Sequence, residues 1–246
     1  MVMPPRALRV RPGHVDVWAT ALDPAPAIQA RLERWLDADE RARAARFVFA
    51  RDGRRFGVAR GTLREILGGY LGLAPAAVRF VYAAAGKPAV ARSEPGAAVE
   101  FNVSHSGEVA LYAVGASGRI GVDVEQLRPL DDLEALAERN FSAAERRALL
   151  ALPPAARAAA FFACWTRKEA FIKALGDGLA YPLDAFTVAF TAGEPARFLE
   201  IRGEPAAAAR WTLAALDVGA GYAAAVAVDG PVTVTWRGAW EQSSDP

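Results

Sequence analysis

The sequence predicts a mixed α/β (α+β) fold made of two pseudo-symmetric halves in one chain. The prediction depends on an order of elements that occurs twice. The amphipathic helix at 63–73 ends in glycine and is followed by an apolar strand at 77–83. A similar helix end at 171–179 precedes a similar strand at 184–190. A repeated helix–strand order indicates that one α/β unit has been duplicated.

A second pair of strands supports the duplication. Two later apolar segments, each closed by a turn, resemble each other at 107–118 and 219–230. Gly68 and Tyr112 are 44 residues apart in the first series, and Gly176 and Tyr222 are 46 apart in the second. We therefore expect a site in the cleft between two halves, 1–118 and 119–246.

The second half has clear element boundaries. It begins with the strand GVDVE and continues through three helices, predicted at 131–141, 142–152 and 155–176. Ser142 and Glu145 have the spacing of a capping box, which marks the start of a helix. The third helix is expected to stop at Gly176 and Gly178.

The strand GVDVE carries two acids on one face. Side chains alternate between the faces of a strand, so Asp123 and Glu125 share a face with Gly121. The opposite face is apolar: Ile120, Val122 and Val124. An acid pair in a half-buried strand requires a positive partner, either arginine or a divalent cation. Gly121 is expected to leave room there for a bulky ligand.

Composition limits the classes of protein. The chain has 246 residues, 53% hydrophobic and 23% charged, so one large or two modest globular domains are expected. The net charge of +1 gives no reason to expect nucleic-acid or membrane partners. No secretory or membrane-spanning segment is recognisable, which favours a cytoplasmic protein, and a monomer is expected. The single cysteine, Cys164, lies in an apolar run and is expected to be a buried, inert thiol.

Local charge is less even than net charge. Residues 41–64 hold eight arginines and one acid, whereas residues 123–145 hold seven acids and two arginines. The two segments indicate either a site that needs both charges or two solvated helix faces.

The long helix carries Glu169 and Lys173, four residues apart on one face. They are either an ordinary surface pair or part of a site. Arg167 and Lys168 are expected to be solvated, and the core-facing residues are expected to be Trp165, Phe171, Ile172 and Leu175. The chain has three lysines, at positions 87, 168 and 173, so two of the three lie in this motif.

The segment FNVSHS, 101–106, contains a polar cluster that could hold an anion: Ser104, His105 and Ser106. No zinc-ligand spacing, GxGxxG or Walker loop is present in the sequence. Ser104, His105 and Asp123 could be drawn as a catalytic triad, but no nucleophile-elbow motif supports one. Acids for a metal, with Arg, Lys and His for phosphates, are the components of a phosphoryl-transfer site.

Three motifs, in this order and spacing, resemble those of Sfp-type 4′-phosphopantetheinyl transferases: FNVSHSG, GVDVE and WTRKEAFIKALGDGL. The resemblance runs from about Asp39 to about Val188. D-x-E followed about 40 residues later by W-x-x-K-E-x-x-x-K is a specific combination. The family has two pseudo-symmetric α/β halves, in agreement with the duplication.

The resemblance implies transfer of 4′-phosphopantetheine from coenzyme A to a serine of an apo acyl, peptidyl or aryl carrier protein, with Mg²⁺ required and 3′,5′-ADP released. It assigns the metal to Asp123, Glu125 and Glu169. It assigns catalysis to Glu169, Lys173 and Asp123. It assigns coenzyme A to Arg43, Arg55, Lys87, Ser104, His105 and Lys173, with the first half contacting coenzyme A and carrier protein. Glu40 and Phe56 depart from the residue types usual at their positions.

Two alternatives stay open. A Mg²⁺-dependent nucleotide or pyrophosphate hydrolase would use the same acids, with water as the nucleophile. A nucleic-acid-binding module would use the arginine cluster 41–64 and would bind with strong salt dependence.

Overall fold

A computed structural model describes residues 8–82, 86–91, 99–116, 118–176, 181–202 and 204–240. Within these ranges the chain forms seven α-helices and eleven β-strands. The helices are α1 (Pro26–Glu33), α2 (Ala38–Ala45), α3 (Ala50–Leu71), α4 (Leu133–Asn140), α5 (Ala143–Leu150), α6 (Pro154–Leu175) and α7 (Pro205–Ala208). The strands are β1 (His14–Ala21), β2 (Phe80–Tyr82), β3 (Pro88–Val90), β4 (Glu100–Ser106), β5 (Val109–Gly115), β6 (Ile120–Gln126), β7 (Phe186–Val188), β8 (Phe198–Ile201), β9 (Trp211–Ala215), β10 (Tyr222–Asp229) and β11 (Thr233–Ala239).

The two halves repeat one topology, which confirms the predicted mixed fold of similar halves. Each half has a 22-residue helix, α3 or α6, that ends in a left-handed glycine, Gly72 or Gly176. Each helix leads into a short 3₁₀ turn and a two-stranded antiparallel sheet, β2–β3 or β7–β8. An antiparallel hairpin follows and pairs with the first strand of the half, giving the orders β1-β5-β4 and β6-β10-β9.

The C-terminal strand crosses between the halves. β11 pairs in parallel with β1, so it extends the first half's sheet to the order β11-β1-β5-β4. The first repeat therefore ends with β5 and the second begins with β6, but β11 returns to the sheet of the first half.

The apolar face of β6 lies between the two main sheets. Ile120, Val122 and Val124 pack there with Val15, Val17, Leu111, Ala113 and Val226. Larger cores flank this layer, one around α3 and one around α6. Cys164 is buried in the α6 core, as the sequence predicted.

Several predicted boundaries shift. The helix predicted at 63–73 begins at Ala50, and the strand predicted at 77–83 begins only at Phe80 because Pro75–Ala77 forms a 3₁₀ turn; residue 83 lies outside the described residues. The strand predicted at 184–190 shortens to 186–188 for the same reason, after the turn Leu183–Ala185. Gly178 lies outside the described residues. Among the residues described, no helix combines the length and apolarity that crossing a bilayer requires.

Candidate active site

The acid face of β6 packs directly against helix α6. A Cβ atom on Gly121 would lie 2.0 Å from the carbonyl oxygen of Ala170 and 2.3 Å from the amide nitrogen of Ala174. The expectation that Gly121 leaves room for a ligand is therefore wrong, because helix backbone fills that space. The glycine instead allows α6 to approach β6, and this approach brings Glu169 and Lys173 to the face that carries Asp123 and Glu125.

Asp123 is almost completely buried, with 3% of its surface exposed. Its Oδ1 atom accepts hydrogen bonds from Lys173 Nζ at 2.6 Å and from Ser104 Oγ at 2.9 Å. Its Oδ2 atom is buried and has no hydrogen-bond partner among the residues that the structure describes. Burial raises the pKa of Asp123, while the charge and hydrogen bond of Lys173 oppose that rise. One oxygen of this carboxyl is thus held by the protein, and the other is not engaged by the described residues.

Strand β4 lies beside β6, and a row of polar side chains joins them. The side-chain oxygens of Asn102, Ser104 and Ser106 accept hydrogen bonds from the β6 amides of Val122, Val124 and Gln126. We call these three the bridging row. Ser106 Oγ also donates to Glu125 Oε2 at 2.8 Å. The sequence interpretation included Ser104 but missed the roles of Asn102 and Ser106, although polar residues at alternate positions of FNVSHS were a visible signal.

Glu169 and Lys173 do not form the surface pair that their spacing suggested. Lys173 Nζ bonds to Asp123 and, at 2.8 Å, to Ser104 Oγ. In the part of the chain that the structure describes, Glu169 has no ion pair within 4 Å. Burial and the neighbouring charge of Asp123 raise the pKa of Glu169, and Lys173 partly offsets this. A half-buried carboxyl with a raised pKa beside a second acid is well suited to accept a proton.

The expectation that Arg167 and Lys168 are solvated is wrong, since they are 7% and 0% exposed. Lys168 Nζ donates to the carbonyls of Leu183 and Phe186 and pairs with Glu145 at 2.8 Å. Glu145 also completes the predicted capping box with Ser142. The Lys168 ammonium therefore joins α5, α6 and β7, and it is not part of the acid site.

A cavity of about 900 Å³ opens on the other side of β4. Its lining includes cations, aromatic rings and the β4 imidazole: Arg43, Arg51, Arg55, Arg60, Phe47, Phe56, Tyr82 and His105. The rings of Phe47 and Phe56 are 5.6 Å apart, and the guanidinium of Arg43 lies 5.2 Å from the Phe56 centroid. Desolvation in the cavity lowers the pKa of His105, and the nearby Lys173 lowers it further. The cavity and the acid face thus meet at β4.

The arginine cluster is divided between structural and open positions. Arg64 is fully buried and pairs with Glu40 and Asp37, each at 2.8 Å, and Arg60 pairs with Glu40 at 3.1 Å. Glu40, the unusual residue at its position, is therefore an internal counter-ion for two arginines. Arg55 pairs with Asp23 and donates to the carbonyl of Gly107 at 2.8 Å. Arg43 is exposed at the cavity.

Lys87 joins the two halves. Its Nζ atom donates to the carbonyl oxygens of Lys173 at 2.7 Å and Ile120 at 3.1 Å. Burial lowers the pKa of Lys87. These bonds hold the Lys87 ammonium against the end of α6. The residues on either side of Lys87 in the sequence, Gly86 and Pro88, line the cavity.

The carboxylates of the acid face could take part in a metal site. Within the described ranges, no three His, Cys, Asp or Glu side chains converge closely enough to hold an ion by themselves. Asp123 nevertheless has a buried Oδ2 that no described residue engages, and Glu125 shares its strand face. Mg²⁺ commonly binds one or two carboxylates and completes its shell with substrate phosphates and water. The residues fit that arrangement.

Comparison with known proteins identifies the family of the chain. Two family models match the chain: 4′-phosphopantetheinyl transferase superfamily over residues 119–227, and 4′-phosphopantetheinyl transferase, N-terminal, over residues 22–117. The 4′-phosphopantetheinyl transferase HetI of Nostoc sp. is 42% identical over 226 residues, which is 92% of each chain. The 4′-phosphopantetheinyl transferase psf-1 of Bacillus pumilus is 38% identical over 157 residues, covering 64% of this chain and 65% of that protein. The resemblance of the motifs is confirmed: this chain belongs to the 4′-phosphopantetheinyl transferase family and is an enzyme of that family.

Proposed function

We propose that this chain transfers the 4′-phosphopantetheine group of coenzyme A to a serine of an apo acyl, peptidyl or aryl carrier protein, with Mg²⁺ as cofactor and 3′,5′-ADP as the product released. The observation that carries the proposal is the arrangement along β4. His105 lines the arginine-rich cavity, and its neighbours Ser104 and Ser106 bond to the acids Asp123 and Glu125. A nucleotide in the cavity would therefore have its pyrophosphate beside the acid face.

The cavity supports coenzyme A as the ligand. Its volume of about 900 Å³ is suitable for a large nucleotide cofactor. Phe56 and Phe47 offer aromatic surface for a base, and the Arg43 and Arg55 guanidiniums suit phosphate groups. Phe56, which departs from the family's usual residue type, gives the adenine a stacking partner in this proposal.

Asp123 and Glu125, with Glu169 as the third acid, would hold the metal. Bound Mg²⁺ would neutralise charge on the pyrophosphate of coenzyme A.

The chain's own residues perform the remaining steps. The Oγ atom of the carrier-protein serine attacks the β-phosphorus of coenzyme A. The new O–P bond forms, and the P–O bond to 3′,5′-ADP breaks. Where its carboxylate is not fully occupied by the metal, Glu169 is the base that accepts the serine proton, and burial together with the charge of Asp123 raises its pKa in favour of that role. Lys173, beside Asp123, stabilises negative charge as the leaving group forms. Ser104 and Ser106 orient the two acids of β6.

The proposal includes a monomeric, cytoplasmic enzyme with no nucleic-acid or membrane partner. The net charge of +1 supports this part. So does the use of Arg60 and Arg64 in internal ion pairs, which leaves a smaller basic surface for a polyanion.

Intact-mass measurement tests the function. An apo carrier protein is incubated with the enzyme, coenzyme A and Mg²⁺, and we expect a mass gain of one phosphopantetheine group. Asp123→Ala, which removes a buried carboxyl without creating an unpaired one, should abolish the gain while leaving the fold intact. Hydrolysis of coenzyme A without carrier protein, together with no mass gain, would support the hydrolase instead. Normal transfer by a folded Asp123→Ala variant would contradict the metal assignment.

A further inference from the structure

The two-residue hairpin turn between β4 and β5 is held by both halves of the protein. From the first half, Arg55 donates to the carbonyl of Gly107 at 2.8 Å, and the amide of Leu22 donates to the carbonyl of Glu108 at 2.8 Å. From the second half, the hydroxyl oxygen of Tyr222 accepts a hydrogen bond from the amide of Glu108 at 3.1 Å. The backbone of this turn is therefore a junction between the halves.

Packing fixes the position of the Tyr222 hydroxyl. Tyr222 is the first residue of β10, and its side chain packs against the apolar layer between the two main sheets. Its partner across the strands is Gln126, the residue that follows Glu125. A Cβ atom on Gly107, which has a φ of +56°, would lie 2.9 Å from the Tyr222 hydroxyl oxygen and 2.5 Å from Oε1 of Gln126. The glycine thus lets the turn approach β6 and β10 closely.

The turn directly follows two residues of the candidate site. His105 lines the large cavity, and Ser106 Oγ donates to Oε2 of Glu125 at 2.8 Å while accepting from the amide of Gln126 at 3.1 Å. A hydrogen-bond partner of a metal-binding carboxylate sets the orientation of that carboxylate, and its loss typically lowers metal affinity or activity by about 10–100-fold. Movement of the turn would shift Ser106 relative to Glu125, so the turn controls the geometry of the acid face.

We propose that Tyr222 is a positioning residue for the acid face. By holding the amide of Glu108 it fixes the turn between β4 and β5, and Ser106 then keeps the carboxylate of Glu125 in the orientation that binds the metal. This inference rests on the metal assignment in the proposed function. The alternative is a hydrogen bond that only stabilises the fold. Glu108 is exposed, so water replaces the hydroxyl at its amide when the hydroxyl is removed, and the site should suffer more than stability.

Hydrogen exchange tests the contact without metal or substrate. Tyr222→Phe removes the hydroxyl and keeps the ring. We expect the Glu108 amide to lose protection in NMR-detected exchange, with the urea midpoint little changed. Tyr181→Phe is the matched control, because the Tyr181 hydroxyl also accepts a hydrogen bond at 3.1 Å, from Arg202 Nε, and this change should leave the Glu108 amide unaffected. An unchanged exchange rate of the Glu108 amide in Tyr222→Phe would overturn the proposal.

Metal binding then tests the positioning role. Mn²⁺ serves as the probe, and its free concentration is measured by electron paramagnetic resonance in the presence of coenzyme A. Tyr222→Phe and Ser106→Ala should each raise the Kd for Mn²⁺ about tenfold. The double variant should bind no more weakly than Ser106→Ala, because both changes act through the same hydrogen bond to Glu125. Tyr181→Phe should bind Mn²⁺ as the wild type does.

The outcomes separate this inference from the proposed function. A wild-type Kd for Mn²⁺ in Tyr222→Phe, or losses that add in the double variant, would overturn the positioning role and leave the metal assignment standing. If the wild type bound no Mn²⁺, or if Asp123→Ala bound it equally well, the metal assignment would fail and this inference with it.

Discussion

The ammonium group of Lys173 lies 2.6 Å from Oδ1 of Asp123 and joins the last turn of α6 to the acid face of β6. Among the described ion pairs, Lys173 has none with its helix neighbour Glu169, although their i,i+4 spacing is favourable for one. Asp123 is the more deeply buried acid, and an unpaired buried charge costs more than a half-exposed one. The lysine therefore neutralises the carboxylate that most needs it.

Loss of Lys173 should destabilise the fold in a pH-dependent way. Lys173→Met leaves Asp123 buried without its cation, which raises the folded pKa of that carboxyl further above its unfolded value. The cost is then present at pH 7 and disappears as the pH falls below the unfolded pKa of about 3.9. We expect a loss of about 1–3 kcal/mol at pH 7 in urea unfolding. Asp123→Asn should remove most of this loss in the double variant, and independent losses would contradict the pairing.

Glu169 and Lys173 should affect the pH profile differently. Each of Glu169→Gln and Lys173→Ala should lower kcat on the order of 10²-fold or more, the scale of a lost proton-transfer or electrostatic group. Since burial raises the pKa of Glu169, the wild-type acidic limb should lie at higher pH than an ordinary glutamate would give. Glu169→Gln should flatten that limb, and Lys173→Ala should retain it. The measurement is kcat against pH with all substrates saturating; an unchanged limb in Glu169→Gln would give the base role to another group.

Basic residues of the large cavity should recognise the 3′-phosphate of coenzyme A. We expect calorimetry to give about tenfold tighter binding of coenzyme A than of its 3′-dephospho form, and Arg43→Met should reduce this difference. Arg147→Met is the control, because Arg147 is exposed and is not among the residues that line the cavity. Lys87→Met should act mainly on stability, because its ammonium bonds to backbone carbonyls. Equal affinity for the two ligands would show that no basic residue reads the 3′-phosphate.

Neither half should work alone. Expression of residues 1–118 and 119–246 as separate chains should give two inactive pieces, because the cavity and the acids lie in different halves. β11 adds a structural reason, since the first piece lacks the strand that pairs with β1. Transfer activity and circular dichroism of each piece are the measurements. Carrier modification by residues 119–246 alone would contradict a shared site.

Gly121 should not tolerate a side chain. Gly121→Ala places Cβ against helix backbone that cannot move away, so we expect a loss on the order of 3 kcal/mol, at the upper end for overpacking. Gly57→Ala in α3 is the control, because its nearest neighbour is a flexible Glu33 side chain at 3.4 Å. That change should be neutral or stabilising by about 0.5–1 kcal/mol. Urea unfolding measures both, and similar values would contradict the close approach of α6.

Local patterns made much of this structure predictable. The alternation in GVDVE placed its acids and its valines on opposite faces, and the capping box of Ser142 and Glu145 is present as expected. The duplication was visible in the sequence because the residues that end helices and form turns are determined by local backbone conformation.

The remaining features depend on contacts that are distant in sequence. Helix periodicity suggested a solvated face for Lys168, but β7 and α5 cover that face. Lys173 forms its ion pair with Asp123 and not with Glu169 because α6 closely approaches β6. Arg60 and Arg64 are buried and form ion pairs with Glu40, whereas Arg43 is exposed at the cavity. Nothing local in the sequence distinguishes these arginines.

The parallel pairing of β11 with β1 makes the order of synthesis important. The first half emerges from the ribosome with one edge of β1 unpaired, and that edge stays open until residue 239 has been made. An open strand edge is a template for pairing with other chains. The nascent first half therefore keeps this open edge until β11 has been translated, and β11 then covers the edge of β1 and becomes the outer strand of the sheet.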